Sequence, residues 1–321
     1  MGTCLFVHRI TQAFVLGAGL GTRLRPLTGD LPKPLLPIFQ KPLITFALDH
    51  LIDLGIESFV INTHKLAEAF TDFFTGGTYR GHPVNLIHEP NLLETGGGIK
   101  NAQSYLDGAP FITYSGDILT DIDLQQLIEE HLQRDNDVTL ALRQTGLATG
   151  IAFRNSRIVD ICQKYGVTGN YDFANLAVWN PSIFSRIPPG KKISFIPILA
   201  DWIGGNGRIG GIVLDQGRWF NISSRSEYLQ VHRTILEENW KPAYVTETDW
   251  PERIAKSAQI DPTAKVLGSS AVGTDCRVGK AAVLEDTILW PGAQIAFRSH
   301  LCRCIVRSRR NVAGLHHDAD L

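Results

Sequence analysis

Cationic side chains set just behind a run of glycines can hold phosphate. One such group stands near the start of this chain. It reads Leu16-Gly17-Ala18-Gly19-Leu20-Gly21-Thr22-Arg23-Leu24-Arg25-Pro26-Leu27-Thr28, with Pro32-Lys33-Pro34-Leu35 close behind. Glycines let backbone N–H groups approach phosphate oxygens. Arg23 and Arg25 offer guanidinium forks, and Lys33 offers a point charge. Thr22-Arg23 stands where a Walker A loop needs Gly-Lys. The third glycine, Gly21, comes one residue early for the dinucleotide fingerprint. The group therefore reads as an anion-binding loop of another kind.

Two further groups carry chemistry. Glu94-Thr95-Gly96-Gly97-Gly98-Ile99 is expected to follow a strand and open a helix. Its glycines would let a flat base lie against the backbone, and Glu94 would accept from a base N–H. Ser115-Gly116-Asp117 ends an apolar strand, where a carboxylate is placed to bind Mg²⁺ with phosphate oxygens completing the shell. Asp121 and Asp123 read as turn or cap residues. Cys302-x-Cys304 lacks a second ligand pair and reads as alternation in a strand. His316-His317-Asp318 falls in an expected frayed tail. Arg303, Arg307, Arg309 and Arg310 read as a solvated face or a subunit contact.

The elements that must position these residues follow from apolar spacing. Residues 13–16 read as a buried strand and 43–54 as a helix with apolar positions 44, 47, 48, 51 and 52. Strands follow at 58–62, 84–88, 111–114 and 137–142. Helices intervene at 65–74, 98–105 and, after the Asp123 cap, 124–133. This alternation predicts a mainly parallel sheet covered by helices on both faces. Such sheets bind ligands at the carboxyl ends of their strands, here the loops after 16, 88 and 115. Beyond 150 a hairpin is expected at 151–153 and 157–161, with strands at 173–179, 212–214 and 219–221. Helices are expected at 181–186, 194–204 and 226–238.

From about residue 258 the texture changes. Ile260, Val266, Val272, Val278 and Leu284 fall six apart, each preceded two positions earlier by Ala258, Ala264, Ser270, Cys276 or Ala282. One apolar and one small residue per hexad is the pattern of a parallel β-helix. The register is expected to continue through Trp290, Ala296 and Cys302, giving under three coils. The expected division is a first domain at 1–240, a linker at 241–257, hexapeptide repeats at 258–315 and a tail at 316–321.

Composition narrows the class. A chain of 321 residues suits two or three domains. Lys plus Arg is 31 against 32 Asp plus Glu, so the basic excess of a general nucleic-acid binder is missing. No run reaches the ~18 apolar residues of a membrane span. Residues 1–10 are not expected to act as a signal peptide, since the apolar stretch Cys4 to Val7 is too short. Phe6 stands where a myristoylation motif needs Ser or Thr. Five scattered cysteines suit a reducing cytoplasm.

The spacing Gly19-x-Gly21-x-Arg23-x-x-Pro26-x-Thr28, followed by Pro32-Lys33-Pro34, resembles the signature of the sugar-1-phosphate nucleotidyltransferases. The resemblance extends from residue 13 to about 235, and a trailing hexapeptide domain is common in that family. It implies an α/β fold: a doubly wound, mainly parallel Rossmann-like sheet followed by a small left-handed parallel β-helix. It implies in-line attack of a sugar-1-phosphate oxygen on the α-phosphorus of a nucleoside triphosphate, with Mg²⁺ as cofactor. It assigns the triphosphate to the stretch Leu16, Gly17, Ala18, Gly19, Leu20, Gly21 and Thr22. Arg23 and Lys33 would be catalytic, with Asp117 as metal ligand. Glu94, Gly96 and Gly97 would meet the nucleobase. Relatives usually carry aspartate as a second metal ligand where Asn221 stands, and Ser223-Ser224 replaces the usual Gly-Thr. Lys164, in Gln163-Lys164-Tyr165, would contact the sugar phosphate, and Asn175 a sugar hydroxyl. Asn62-Thr63-His64 would border the sugar pocket, unless His64 is structural. The favoured substrates are mannose-1-phosphate and GTP. The alternatives are a uridylyltransferase on a glucose- or muramate-type sugar, and a non-catalytic regulatory paralogue. A cytoplasmic homo-oligomer is expected, with no nucleic-acid or membrane partner.

Overall fold

The computed structural model describes residues 9–106, 108–144 and 150–321, so the readings made at Cys4, Phe6 and Val7 lie outside the described residues. The chain forms two compact units that are not consecutive in sequence. One comprises the described residues up to Gly19 with Ala47–Trp219; the other comprises Leu20–Phe46 with Phe220–Leu321.

The first unit is built on a ten-stranded sheet. Its strands are β1 (Gln12–Leu16), β2 (Ser58–Thr63), β3 (Thr78–Tyr79), β4 (His82–His88), β5 (Phe111–Ser115), β6 (Val138–Arg143), β7 (Ile151–Arg154), β8 (Arg157–Ile161), β9 (Asp172–Trp179) and β10 (Ile209–Val213). Their order across the sheet is β7-β8-β10-β6-β9-β5-β1-β2-β4-β3. Strand β1 pairs in parallel with β2 and β5, and β2 with β4. Strand β9 runs antiparallel to both β5 and β6, while β10 returns parallel to β6. The mainly parallel sheet is thus borne out, with antiparallel pairing confined to β9, the β7–β8 hairpin and the edge strand β3.

Strands covered on both faces read as continuous apolar runs. Ala13, Phe14 and Val15 are buried without alternation, as are Phe59, Val60 and Ile61. Phe14, Val60, Phe111, Leu140, Trp179 and Phe195 share one core. The buried indole of Trp179 donates from Nε1 to Thr113 Oγ1 at 2.8 Å, so its one polar atom is satisfied. Asp123 caps helix Leu124–Gln133 as expected, its carboxylate accepting from Gln125 N at 3.0 Å. The carboxyl ends of β5, β1, β2 and β4 lie side by side along one end of the sheet, where the chain continues into Gly116, Gly17, His64 and Glu89.

The second unit carries the solenoid. Its short strands form three parallel ladders, four strands deep on two faces and three deep on the third. This bears out the small left-handed parallel β-helix, though it is deeper than the expected coil count. The hexad register also slips. Ile260 pairs with Val278 as the six-residue period requires, but Val278 pairs with Ile295, not Ala296. The steps from Val272, Val278 and Leu284 are likewise one residue short, so Leu289, Ile295 and Leu301 fill the interior in place of Trp290, Ala296 and Cys302. The small residues shift with them to Thr287, Ala293 and Ser299, all fully buried. Trp290 is spent elsewhere: its Nε1 donates to the Tyr228 hydroxyl at 3.1 Å.

The expected frayed tail is ordered. Leu315–His317 pairs in parallel with His300–Cys302, and Asp318 holds the Arg303 guanidinium at 2.7 Å. Stacking on the last coil satisfies backbone groups that a free end would leave to water.

Leu20–Phe46 packs within this unit. Tyr228 donates its hydroxyl to Pro37 O at 2.6 Å, and Gln40 Nε2 donates to Val272 O at 3.0 Å. Residues 241–257 form no helix, yet Tyr244, Val245 and Trp250 are buried. Trp250 meets Phe46 edge to face at 5.3 Å.

Candidate active site

In the first unit the signature begins where β1 stops. Gly17 N donates to Asn62 Oδ1 at 2.8 Å. A β-carbon at Gly17 would lie 2.7 Å from the Asn62 carbonyl oxygen, so this glycine exists for close approach to β2. Gly19 is different: it is exposed, and a β-carbon there would meet nothing within 4 Å. Gly116 N donates to Leu16 O at 2.9 Å, tying the Asp117 turn to the first loop. Ser115 Oγ donates to Asp117 Oδ1 at 2.6 Å and orients the carboxylate.

The glycines of the second motif lie inside a helix, Glu94–Asn101, four residues upstream of the expected start. Their faces are taken by a segment that sequence reading missed. Gly96 N and Gly97 N both donate to Ile193 O, at 2.9 and 3.0 Å. Ile193 N donates to Leu93 O at 3.0 Å. A β-carbon at Gly96 would sit 2.9 Å from Ile193 O, and one at Gly97 would fall on Lys191 O. Close packing of residues 191–195 explains these glycines without a base. Glu94 holds a left-handed φ of 60°, with Lys192 Nζ 3.8 Å from its carboxylate.

Lys164 is paired with Asp201 of helix Phe195–Gly204. Asn175 has φ 63° inside β9, where the register against β6 shifts between Phe173 and Ala177. Such bulges re-aim side chains. Asn62 is spent on Gly17 and Glu89, and His64 Nδ1 bonds the Glu89 carbonyl at 2.7 Å. Both are structural within this unit.

In the second unit Gly21 carries φ 58° and precedes the turn Thr22–Leu24. Thr28 Oγ1 donates to Gly21 O at 2.8 Å, so the threonine of the signature closes its own loop. Leu24 and Leu27 are buried, which leaves Leu20, Thr22, Arg23 and Arg25 turned to solvent. Lys33 is buried between Pro32 and Pro34. Asn221 ends the strand Trp219–Asn221, and its Oδ1 is buried with no hydrogen-bond partner among the described residues. A carbonyl oxygen with open lone pairs suits a hard cation. Ser223 N and Oγ both donate to Glu227 Oε2 at 2.8 Å, and Ser224 Oγ accepts from Glu227 N at 3.2 Å. The serines that replace Gly-Thr therefore cap helix Arg225–Glu237.

Among the described residues no group of three or more His, Cys, Asp or Glu is placed to hold a metal ion. No described helix is long and apolar enough to cross a membrane.

The first unit is a mainly parallel α/β sheet with a glycine-rich loop after its first strand, the class of fold that binds ligands at the carboxyl ends of its strands. Residues 12–153 match the family model described as Nucleotidyl transferase. The chain is 27% identical to the mannose-1-phosphate guanylyltransferase of Mycobacterium tuberculosis, over 90% of this chain and 82% of that protein. It is 32% identical to the N-acetylmuramate alpha-1-phosphate uridylyltransferase of Neisseria meningitidis, over 59% of this chain and 83% of that protein. In fold it is similar to the inositol-1-phosphate CTP transferase of T. maritima, with a TM-score of 0.56 and 17% identity over 68% of this chain and 91% of that one. The chain belongs to the nucleotidyl transferase family. The resemblance read from the signature loop is borne out.

Proposed function

We propose that this sugar-1-phosphate nucleotidyltransferase joins mannose-1-phosphate to the nucleotidyl group of GTP, with release of pyrophosphate. The observation that carries the reading is the loop itself. Gly19 is open, Gly21 is locked in a left-handed turn by Thr28, and two arginines project outward. The choice of mannose and guanine rests on likeness to the Mycobacterium guanylyltransferase along 90% of the chain, solenoid included.

Both reactants are anions. Two unit charges ~3.5 Å apart at an effective dielectric of ~20 repel by roughly 5 kcal/mol. Catalysis is then chiefly positioning and charge neutralisation. In this reading the backbone from Leu16 to Thr22 holds the triphosphate. Arg23 stabilises charge that develops on the departing pyrophosphate. Lys33, held between two prolines, binds phosphate oxygens at a fixed point. Glu94 receives the base, Lys164 the sugar phosphate and Asn175 a sugar hydroxyl.

Nucleotidyl transferases generally use a divalent metal. Magnesium, when bound, supplies positive charge to phosphate oxygens. Asp117, in the first unit, would be a ligand to it, and Asn221, in the second, is a separate candidate. Asp117 fits because Ser115 fixes its carboxylate, and Asn221 fits because its buried Oδ1 has no partner among the described residues.

A second reading, transfer of uridylyl to a sugar-1-phosphate, is favoured by the 32% identity to the Neisseria enzyme. Pyrophosphate release with Mg²⁺, over a panel of nucleoside triphosphates and sugar-1-phosphates, separates the two. Turnover with GTP and mannose-1-phosphate is expected. Turnover only with UTP selects the second reading. Binding without turnover by any pair overturns both and marks a regulatory paralogue.

A further inference from the structure

Glu89 is a fully buried carboxylate to which the proposed reaction assigns no role. Burying such a group is costly unless its oxygens are hydrogen-bonded. Here both oxygens accept. Oε1 takes a hydrogen bond from Asn62 Nδ2 at 2.8 Å, and Oε2 takes one from Leu93 N at 2.9 Å. Asn62, itself buried, accepts from Gly17 N through Oδ1 at 2.8 Å. The residue is pinned from its backbone as well: Glu89 N donates to Thr63 O at 2.7 Å, and His64 Nδ1 donates to Glu89 O at 2.7 Å. A β-carbon at Gly98 would lie 2.9 Å from Asn62 Nδ2 and 3.0 Å from Glu89 Oε1. The third glycine of the Gly96-Gly97-Gly98 run is therefore glycine to leave room for this pair.

We infer that Asn62 and Glu89 are positioning residues whose buried relay, Gly17 N–H to Asn62 to Glu89 to Leu93 N–H, fixes the phosphate loop and the base loop relative to one another. This rests on the reading that both loops hold the nucleotide. The relay has a parity. Gly17 and Leu93 each bring one donor, so the two side chains must present one acceptor to each and share one hydrogen between them. An amide at 62 with a carboxylate at 89 meets that count. A carboxylate at 62 with an amide at 89 meets it equally. Two amides force two donors together somewhere along the line, and two carboxylates face each other with no hydrogen between them.

The test is therefore an exchange. Glu89→Gln, Asn62→Asp and the double variant are compared with the parent by amide hydrogen exchange and by steady-state kinetics. Each single variant is expected to speed exchange in both 16–21 and 93–98, by about tenfold, the scale of one buried donor left unsatisfied. KM for the nucleoside triphosphate rises by a similar factor of about ten, and kcat falls less. The double variant restores slow exchange in both loops and the parental KM. Loosening of only one loop, unchanged exchange in both, or a double variant that melts like the parent yet stays as loose as the singles overturns the relay. Should either single variant fail to fold, the other is read. Should both fail, recovery of folding in the double variant supports the relay, and its failure overturns it. Exchange decides the relay whether or not the parent turns over, whereas absence of parental turnover with every substrate pair counts only against the proposed function.

Discussion

In the proposed reading, Asn221 is the residue on which metal affinity would turn. A neutral carbonyl replaces the charge of an aspartate, yet its oxygen is buried and open. Asn221→Asp should lower the Mg²⁺ concentration needed for half-maximal activity by roughly tenfold, the effect of ~1.4 kcal/mol of added attraction. An Mg²⁺ titration that does not move would remove Asn221 from the metal site. Three histidines carry a second residue-scale prediction. Burial lowers the pKa of His50, His131 and His232 to about 4. For His232 the hydrogen bonds show why: Nε2 accepts from Phe39 N at 3.1 Å, while Nδ1 donates to Tyr228 O at 2.9 Å, so a second ring proton would meet a donor. At neutral pH both folded and unfolded forms are uncharged, and these groups leave stability unaltered. Below pH 6.5 the unfolded chain takes up protons that the folded chain refuses. Stability therefore falls between pH 6.5 and 4, by on the order of 2 kcal/mol for each histidine by pH 5. Urea unfolding at pH 7 and pH 5 checks this, and equal midpoints would contradict it.

At the scale of elements, the helix Glu94–Asn101 inverts a rule. Alanine in a helix interior normally gains about 0.5–1 kcal/mol over glycine. At Gly97 the added carbon would fall on the Lys191 carbonyl oxygen, backbone that cannot swing aside. Gly97→Ala should instead cost about 1–3 kcal/mol, the range of overpacking in a filled site. Thermal unfolding gives the sign, and a variant more stable than the parent would show that 191–195 yields easily. The motif itself was legible, because three glycines beside an acid are unusual in a helix. Its packing partner was not, since nothing local ties residue 96 to residue 193. The solenoid shows the same division. Its period was legible through Leu284, where spacing is strictly local. The one-residue slip beyond it was not, because Trp290 satisfies the apolar pattern while spending its indole on Tyr228.

At the scale of the molecule, the signature loop is split between two units. Gly17 and Gly19 belong with the large sheet, whereas Gly21, Arg23 and Lys33 belong with the solenoid. The order of the segment Leu20–Phe46 should then depend on the solenoid core. Leu284, fully buried there, is a suitable probe. Leu284→Ala should cost about 2–5 kcal/mol. Amide exchange at 22–40 should rise together with exchange in the coils. Exchange at 22–40 that stays at the parental rate while the coils loosen would show that the segment keeps its order without them.

What the sequence by itself determined is whatever its physics keeps within a few residues. The Gly19-to-Thr28 loop, the Asp123 cap, the buried strands and the hexad period all rest on near-neighbour spacing, which backbone geometry enforces. Tertiary structure alone decided the rest. It spent Asn62 on Gly17 and Glu89, filled Gly96 and Gly97 with a backbone about a hundred residues away, shortened the later coils, and stacked the last residues onto the solenoid. Each of these is a contact between distant parts of the chain, set by how the strands are ordered and how closely backbones approach. No local preference encodes such a contact, because its free energy exists only once both partners are in place.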